Sequence, residues 1–551
     1  MQDWQPHTFA QALASAATRW PDQEAVVVGD ARVTYRRFWH DVRQTAANLK
    51  RLGLERGDHF AICLGNSPEW ATLMFAAATI GAVTVPVNTR FKADELLYCL
   101  QQADVRMLVI ADRFLKIDFV AMLRGICPAL DRQLPDPALP LLRSLIVFGR
   151  DVPAGAIHAA ELESPHPSPQ RPQEGGQPIA MPDETSEGVQ PDDVVLIQYT
   201  SGTTSFPKGV MLTQTNMLRD AFHVRDRLDM RPGDRYFSAR PLFHVAGTTL
   251  SLLVAVEAGA CYLTTANFDA GEALRLLEVE RCTHTCGNDT MFLMMMSHPS
   301  FGARRLMLRG GWAAASRSVM QAIHDTMGMR GLCSAFGLSE CAPNAAMSPH
   351  DDVLEKRVAG FSKPLPGVEI RITDPTTGAE LPAGQTGEIQ IRGWNVMKGY
   401  YNKPEETANA LDRDGWLHTG DRGVMDEDGR VAFAGRLKEM LRVGGENVSP
   451  VEVEDIMHRH PAIGQAQVIG VPDPRLIEVV AAYVIVRDAM TAEPDEIIGW
   501  CKARMADFKV PRYVRIIDSF DQIGMTASSK VQKTKLREHA LDDLNLRGVT
   551  T

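Results

Sequence analysis

No run of about 18 apolar residues occurs in the 551-residue sequence, so no membrane span is expected. The opening stretch MQDWQPHTFAQALASAATRWPDQ has no basic region leading into an apolar core, so no signal peptide is expected either. Basic residues are not in excess: 58 Lys and Arg face 68 Asp and Glu, for a net charge of −10. That balance argues against nucleic acid or an anionic membrane as the main partner, while leaving room for a local basic pocket. No fixed-period repeat is found, which argues against a solenoid or propeller. The nine cysteines are scattered, and only Cys282 and Cys286 fall close together. Neither a disulfide framework nor a zinc site is therefore expected, and reduced thiols in the cytoplasm are.

What is present is ordinary globular composition, 45% hydrophobic and 23% charged, in a chain too long for one core. RVTYRRFWHDVRQTAANLKRLG reads as an amphipathic helix, and HFAICLG after it as a buried strand. WATLMFAAATIGAVTVPVN repeats the order, with Gly81 as the helix stop. The alternation predicts an α/β fold with a largely parallel sheet. Ser164 to Pro191, rich in Pro, Gly, Ser, Gln and Glu, reads as an extended connection ending where VVLIQY (Val194 to Tyr199) begins. A second boundary is expected at Arg436, giving a large domain over 1–436 and a small one over 437–551. The small unit should hold strands at Ala466–Val471 and Val479–Val486 and a helix near Asp495–Met505.

The strongest local signal is YTSGTTSFPKGV, Tyr199 to Val210. Glycine admits an anion close to the backbone, and hydroxyls and amide N–H groups can cradle phosphate oxygens. It is not a Walker A loop, because Pro207 precedes Lys208 and Gly209 follows it. Alone, such a loop could equally be a polar surface turn.

It does not stand alone. The loop resembles the phosphate loop of the adenylate-forming superfamily, which includes acyl-CoA synthetases, peptide-synthetase adenylation domains and firefly luciferase. Six further segments resemble that family in order: GAVTVPVNTRFKADEL (Gly81 to Leu96), PLFHVAG (Pro241 to Gly247), AFGLSECAP (Ala335 to Pro343), GWLHTGDRGVMDEDG (Gly415 to Gly429), GRLKEMLRVGGENVSPVEVE (Gly435 to Glu454), and FKVPRYV with SSKVQKTKLR (Ser528 to Arg537). The resemblance covers essentially the whole chain. It implies a large domain of α/β layers carrying a small, mobile α+β domain. It also implies an acid–CoA ligase that takes a carboxylic acid, ATP and CoA with Mg2+, and releases AMP and pyrophosphate.

The same resemblance implies the roles of single residues. Thr200, Ser201, Gly202, Thr203, Thr204 and Lys208 would hold the β- and γ-phosphates. Glu340 would hold Mg2+, a hard cation suited to carboxylate and phosphate oxygens. Phe336, beside Gly337 and Ser339, would stack on adenine, with Gly311, Trp312 and Ala313 on its other face. Asp421 would accept from both ribose hydroxyls, and Arg436 would contact the ribose or phosphate side. Lys530 would neutralise charge developing between the acid and the α-phosphate, and His244 would lie near the acyl carboxylate. Rotation about Lys438 would withdraw Lys530 and bring the loop Gly444-Gly445-Glu446-Asn447 over the site for thioester formation.

The chain also departs from the family pattern. Ser205 stands where glycine is usual and Ser528-Ser529 where Thr-Gly is usual, at a cost of about 1 kcal/mol if φ must be positive at the glycine position. Ser339 keeps the usual hydroxyl. Trp312, Asn288 and Asp289 are unusual at the expected acyl wall, and predict a short, cyclic or partly polar acid instead of a long unbranched one. Two other readings stay open: loading of a carrier-protein arm, and a nucleotide-binding homologue without catalysis. No carrier domain follows, and the joint retention of Lys208, Glu340, Asp421 and Lys530 speaks against the second. A homodimer is compatible with the sequence and not required by it.

Overall fold

The structure, a computed structural model, describes residues 3–162, 188–200, 207–443, 446–488, 490–526, 530–547 and 549. The first helix–strand units form, except that residues 32–34 of the expected helix belong to the strand Ala31–Thr34. Thr34 caps the helix Tyr35–Arg51 by accepting from the Arg37 N–H, a bond worth about 1 kcal/mol. Its buried stripe includes Tyr35, Phe38, Val42 and Leu49. The strand His59–Cys63 follows. Helix Pro68–Ile80 starts with Ser67 as cap and proline in its first turn, and ends at Gly81 with φ 83°. Strand Val83–Pro86 then lies parallel to His59–Cys63.

Two mainly parallel sheets result. One has seven strands, running from Lys208–Thr213 through Val194–Thr200 to Ile157–His158. The other has eight, and includes Arg235–Phe237, His284–Asn288, Gly310–Ala314 and Gly331–Phe336. Strand alternation sends neighbouring residues to opposite faces. Val26 and Phe60 join the core shared by both sheets, whereas Val27 and Ala61 lie in separate outer cores. Helices therefore cover both faces of each sheet, as parallel strands buried on two sides require.

The pair Arg113–Phe114 and Ile117–Asp118 makes a small third sheet, and a fourth, of four antiparallel strands, ends in the strands Leu417–Met425 and Val431–Arg436. A short 3-10 turn, Leu437–Glu439, leads to a fifth sheet that starts at Leu441. The expected strands appear there as Ile463–Asp473 and Ile477–Val486, and the expected helix as Pro494–Lys502. One face of this sheet packs under helices Pro450–His458 and Pro494–Lys502, the other under Lys533–Asp543. Among the described residues, no helix is long and apolar enough to cross a membrane.

Candidate active site

The phosphate-loop hairpin has a described neck. Thr200 pairs with Lys208 across antiparallel strands. Ser201, Gly202, Thr203, Thr204 and Ser205 lie outside the described residues, as do Gly444, Gly445, Ser528 and Ser529. Lys208 Nζ sits 4.2 Å from the centre of the Tyr400 ring. The Tyr400 hydroxyl donates to Glu340 Oε1 at 2.8 Å. Lysine and acid thus meet around one tyrosine, positioned because residues 398–401 run beside the strand Lys208–Thr213. Burial and the Glu340 charge hold the Tyr400 hydroxyl well above its ordinary pKa, so it remains a donor.

Phe336 ends its strand, is 6% exposed, and lies nearly parallel to Phe433 at 6.1 Å between ring centres. Gly337 after it is exposed. A β-carbon there would fall 1.9 Å from the Pro343 carbonyl oxygen, so only glycine fits this turn. Ser339 and Glu340 follow in a short 3-10 turn, both half-buried.

Asp421 is 4% exposed. Its Oδ1 has no hydrogen-bond partner among the described residues, although Arg436 Nε lies 3.3 Å away as an ion pair. Burial raises its pKa to about 6, against the pull of Arg436 and Lys530 and with the push of Glu340. Lys530 belongs to a turn closed by Thr526, where the Thr526 N–H donates to the Lys530 carbonyl at 2.7 Å. Arg90 of the large domain donates to the Thr526 carbonyl at 2.9 Å. Lys530 stays open to solvent, yet its surroundings lower its pKa, through desolvation of the ammonium first and then Arg436. His244 Nδ1 accepts from the Ala246 N–H at 3.1 Å, which leaves the proton on Nε2. Burial, Arg240 and Lys530 together lower its pKa to about 4, so the ring is neutral at pH 7.

The three residues expected on the other face of the adenine lie together on one strand. Gly311, Trp312 and Ala313 are all buried within the strand Gly310–Ala314. A β-carbon on Gly311 would lie 1.9 Å from the Thr285 carbonyl oxygen, so this glycine serves strand packing. The chain first opens to solvent at Ala314, followed by half-buried Ala315 and Ser316. The expected polar acyl wall is corrected. Asn288 caps helix Asp289–Ser297 by accepting from the Met291 N–H. Asp289 accepts from the Ser316 N–H at 2.9 Å and its hydroxyl at 3.1 Å, so neither residue waits for a substrate group.

With this geometry in hand, comparison with known proteins is direct. The AMP-binding enzyme family model matches residues 13–401, and the AMP-binding enzyme C-terminal domain model matches residues 452–530. This chain belongs to the AMP-binding enzyme family. YngI of Bacillus subtilis (strain 168), which carries an acyl-CoA synthetase name, is 38% identical over 98% of both chains. A mitochondrial medium-chain acyl-CoA ligase of Danio rerio is 32% identical, over 98% of this chain and 90% of its own. The crystal structure of the anthranilate CoA ligase AuaEII with anthranoyl-AMP is similar at TM-score 0.84 and 25% identity, over 98% of this chain and 99% of its own.

The residues present fit what such an enzyme binds. The buried, hydrogen-bond-free Oδ1 of Asp421 suits a ribose hydroxyl, because an acceptor buried without a donor is costly. Groups of three or more potential metal ligands are missing among the described residues. Glu340 supplies a half-buried carboxylate, the hard oxygen donor that Mg2+ takes together with substrate phosphates. The sequence reading had passed over Tyr400. Its signal was the run Met397–Tyr401, with two tyrosines straight after a glycine.

Proposed function

We propose that this AMP-binding enzyme is an acid–CoA ligase in which Lys530, His244, Asp421, Arg436 and Glu340 divide the work of the first half-reaction. A carboxylate oxygen of the acid attacks the ATP α-phosphorus, the bond to the β-phosphate oxygen breaks, and pyrophosphate leaves. The CoA thiol then attacks the acyl carbon, the acyl–AMP bond breaks, and AMP leaves as the thiol proton is released. Lys530 and Arg436 face the charge that develops at the α-phosphate. Asp421 holds the ribose, and Phe336 with Ala314 and Ala315 flanks the adenine. His244, neutral, orients the acid through Nε2–H. Lys208 holds the terminal phosphates, and Glu340 would hold Mg2+, which when bound neutralises phosphate charge.

The observation that carries this reading is geometric: Lys208 and Glu340 meet around Tyr400, and the buried Asp421 Oδ1 lies 3.3 Å from Arg436 Nε with no hydrogen-bond partner among the described residues. Lys530, from the small domain, acts on the charges of both Asp421 and His244 in the large domain, which supports its role in adenylation. We place the domain boundary at Arg436, where the fourth sheet ends, and the turning point at Lys438, with the Gly444-Gly445 loop serving thioester formation. A cytoplasmic location is supported by nine cysteines that are all buried and unpaired. The named relatives act on medium-chain and anthranilate groups, so they leave the acid open.

Lys530→Ala tests the division of labour. Pyrophosphate exchange should fall about 100-fold or more, while thioester formation from a preformed acyl-adenylate and CoA persists. Equal loss in both steps, or surviving exchange, refutes the role of Lys530.

A further inference from the structure

Three arginines are buried among the described residues: Arg240, Arg357 and Arg430. Two are satisfied by protein oxygen. Arg357 donates to the carbonyls of Asp352, Arg330 and Leu332. Arg430 pairs with Asp352 and Asp428. Arg240, 7% exposed, has neither arrangement. Its Nε lacks a hydrogen-bond partner among the described residues. The groups acting on its charge are the Cys286 thiol and the Tyr236 hydroxyl, with no carboxylate among them. A buried cation with no anion beside it among the described residues is expensive, because its desolvation is not offset.

The site is built to hold this charge in place. The Arg240 N–H donates to Ser238 Oγ at 3.3 Å, and its carbonyl accepts from Asn66 Nδ2 at 3.0 Å. Its guanidinium lies 5.2 Å from the centre of the Trp312 ring, a cation–π contact. Trp312 is fixed in turn by its indole N–H, which donates to the Tyr236 hydroxyl at 2.9 Å. The surroundings are polar: Cys286 Sγ and Ser251 Oγ both bond to Ser238 Oγ.

Position supplies the rest. Arg240 and Lys530 both act on the charge of His244. Arg240 also stands four residues before His244 in the chain. The ligase reading puts the reacting carboxylate beside Lys530 and His244, which leaves a group further along the acid as the partner that could meet Arg240. We infer that Arg240 recognises a second oxygen-bearing group on the acid, a carboxylate or a ketone held away from the reacting carboxylate, with Trp312 as the flat support of the guanidinium. The inference rests on the ligase reading above. A carboxylate would take the guanidinium fork in two hydrogen bonds, a ketone in one or two.

The test uses the purified full-length enzyme with ATP, Mg2+ and CoA, and AMP release as the readout. Three acids are matched except at the far end, which carries a methyl, a ketone or a carboxylate, on both chain and ring frameworks. The unmodified enzyme should favour one oxygenated acid over the methyl acid by about 100-fold or more in kcat/KM, since a site built for hydrogen bonding rejects analogues that lack the group. Which oxygenated acid leads distinguishes the two sources. Arg240→Met should remove that preference, mainly through KM, and raise kcat/KM for the methyl acid. Arg240→Lys should recover part of it for the carboxylate. AMP release without preference in the unmodified enzyme overturns the inference and leaves the ligase reading standing. So does an equal loss on all three acids in a folded Arg240→Met, which would make Arg240 a prop for Trp312. If Arg240→Met does not fold, the unmodified enzyme's acid series decides. Failure to release AMP with any acid overturns the ligase reading as well.

Discussion

Asp421 faces two opposed demands. Its carboxylate must be ionised to accept from a ribose, yet it is buried, and burial raises its pKa to about 6. Between its ordinary value near 4 and about 6, the folded free protein binds this proton more tightly than the unfolded chain. Rising pH across that window therefore removes stability from the free protein. Binding runs the other way, because a ribose needs the ionised form. Adenosine, which carries no titrating phosphate, should bind more weakly as pH falls through about 6. Asp421→Asn should abolish that pH dependence and weaken adenosine at pH 7.5 by about 10-fold or more, the loss of a hydrogen bond to a charged group. Calorimetric affinities at pH 5, 6 and 7.5 check this, and a pH-independent affinity in the unmodified protein would refute it. The role of Asp421 was legible in sequence through its motif. Its burial, its ion pair with Arg436 and its raised pKa were not, because they depend on the strands Leu417–Met425 and Val431–Arg436 pairing in register.

At the scale of elements, a carboxylate contact between two helices helps to join the large and small domains. The N–H and hydroxyl of Ser318, in the first turn of helix Arg317–Thr326, both donate to Asp455 Oδ1 at 3.1 Å. Asp455 belongs to the small domain's helix Pro450–His458 and also pairs with Arg459. A carboxylate at a helix N-terminus is favoured by the unpaired N–H groups and the helix dipole. The contact is present in the same arrangement in which Lys530 acts on the charges of Asp421 and His244. Asp455→Ala should slow adenylation about three- to ten-fold, while acyl transfer from a preformed adenylate to CoA stays as fast or becomes faster. Equal slowing of both steps would refute a latch. Sequence reading carried the helix back to Arg32, but Ala31–Thr34 is strand and the helix starts only after the Thr34 cap, because strand pairing with Glu24–Val28 claims those residues. The helix stop at Gly81 was readable because a positive φ acts locally.

Across the whole molecule, the proposed rotation between the two half-reactions would turn on Leu437–Glu439, which links the last strand of the fourth sheet to the first of the small domain. The Ser449 hydroxyl, donating to the Ala434 carbonyl at 3.0 Å, braces that junction. Lys438→Pro would restrict φ where the rotation is expected. Acyl-adenylate should then form and accumulate, with CoA transfer slowed about ten-fold or more in rapid-quench measurements. Unchanged transfer would move the hinge elsewhere. The sequence by itself determined the family, the α/β layering and the small α+β domain, because seven ordered segments and the 3.6- and 2-residue periodicities are local properties of the chain. It also marked Lys208, Glu340, Asp421 and Lys530 as the chemical set. Only the tertiary structure decided which groups are satisfied. Asn288 and Asp289, polar in sequence, are consumed by a helix cap and by Ser316. Arg240, unremarked in sequence, is left without an anion. A residue's unmet hydrogen-bonding capacity is set by neighbours far away along the chain, and becomes visible only when those neighbours are in place.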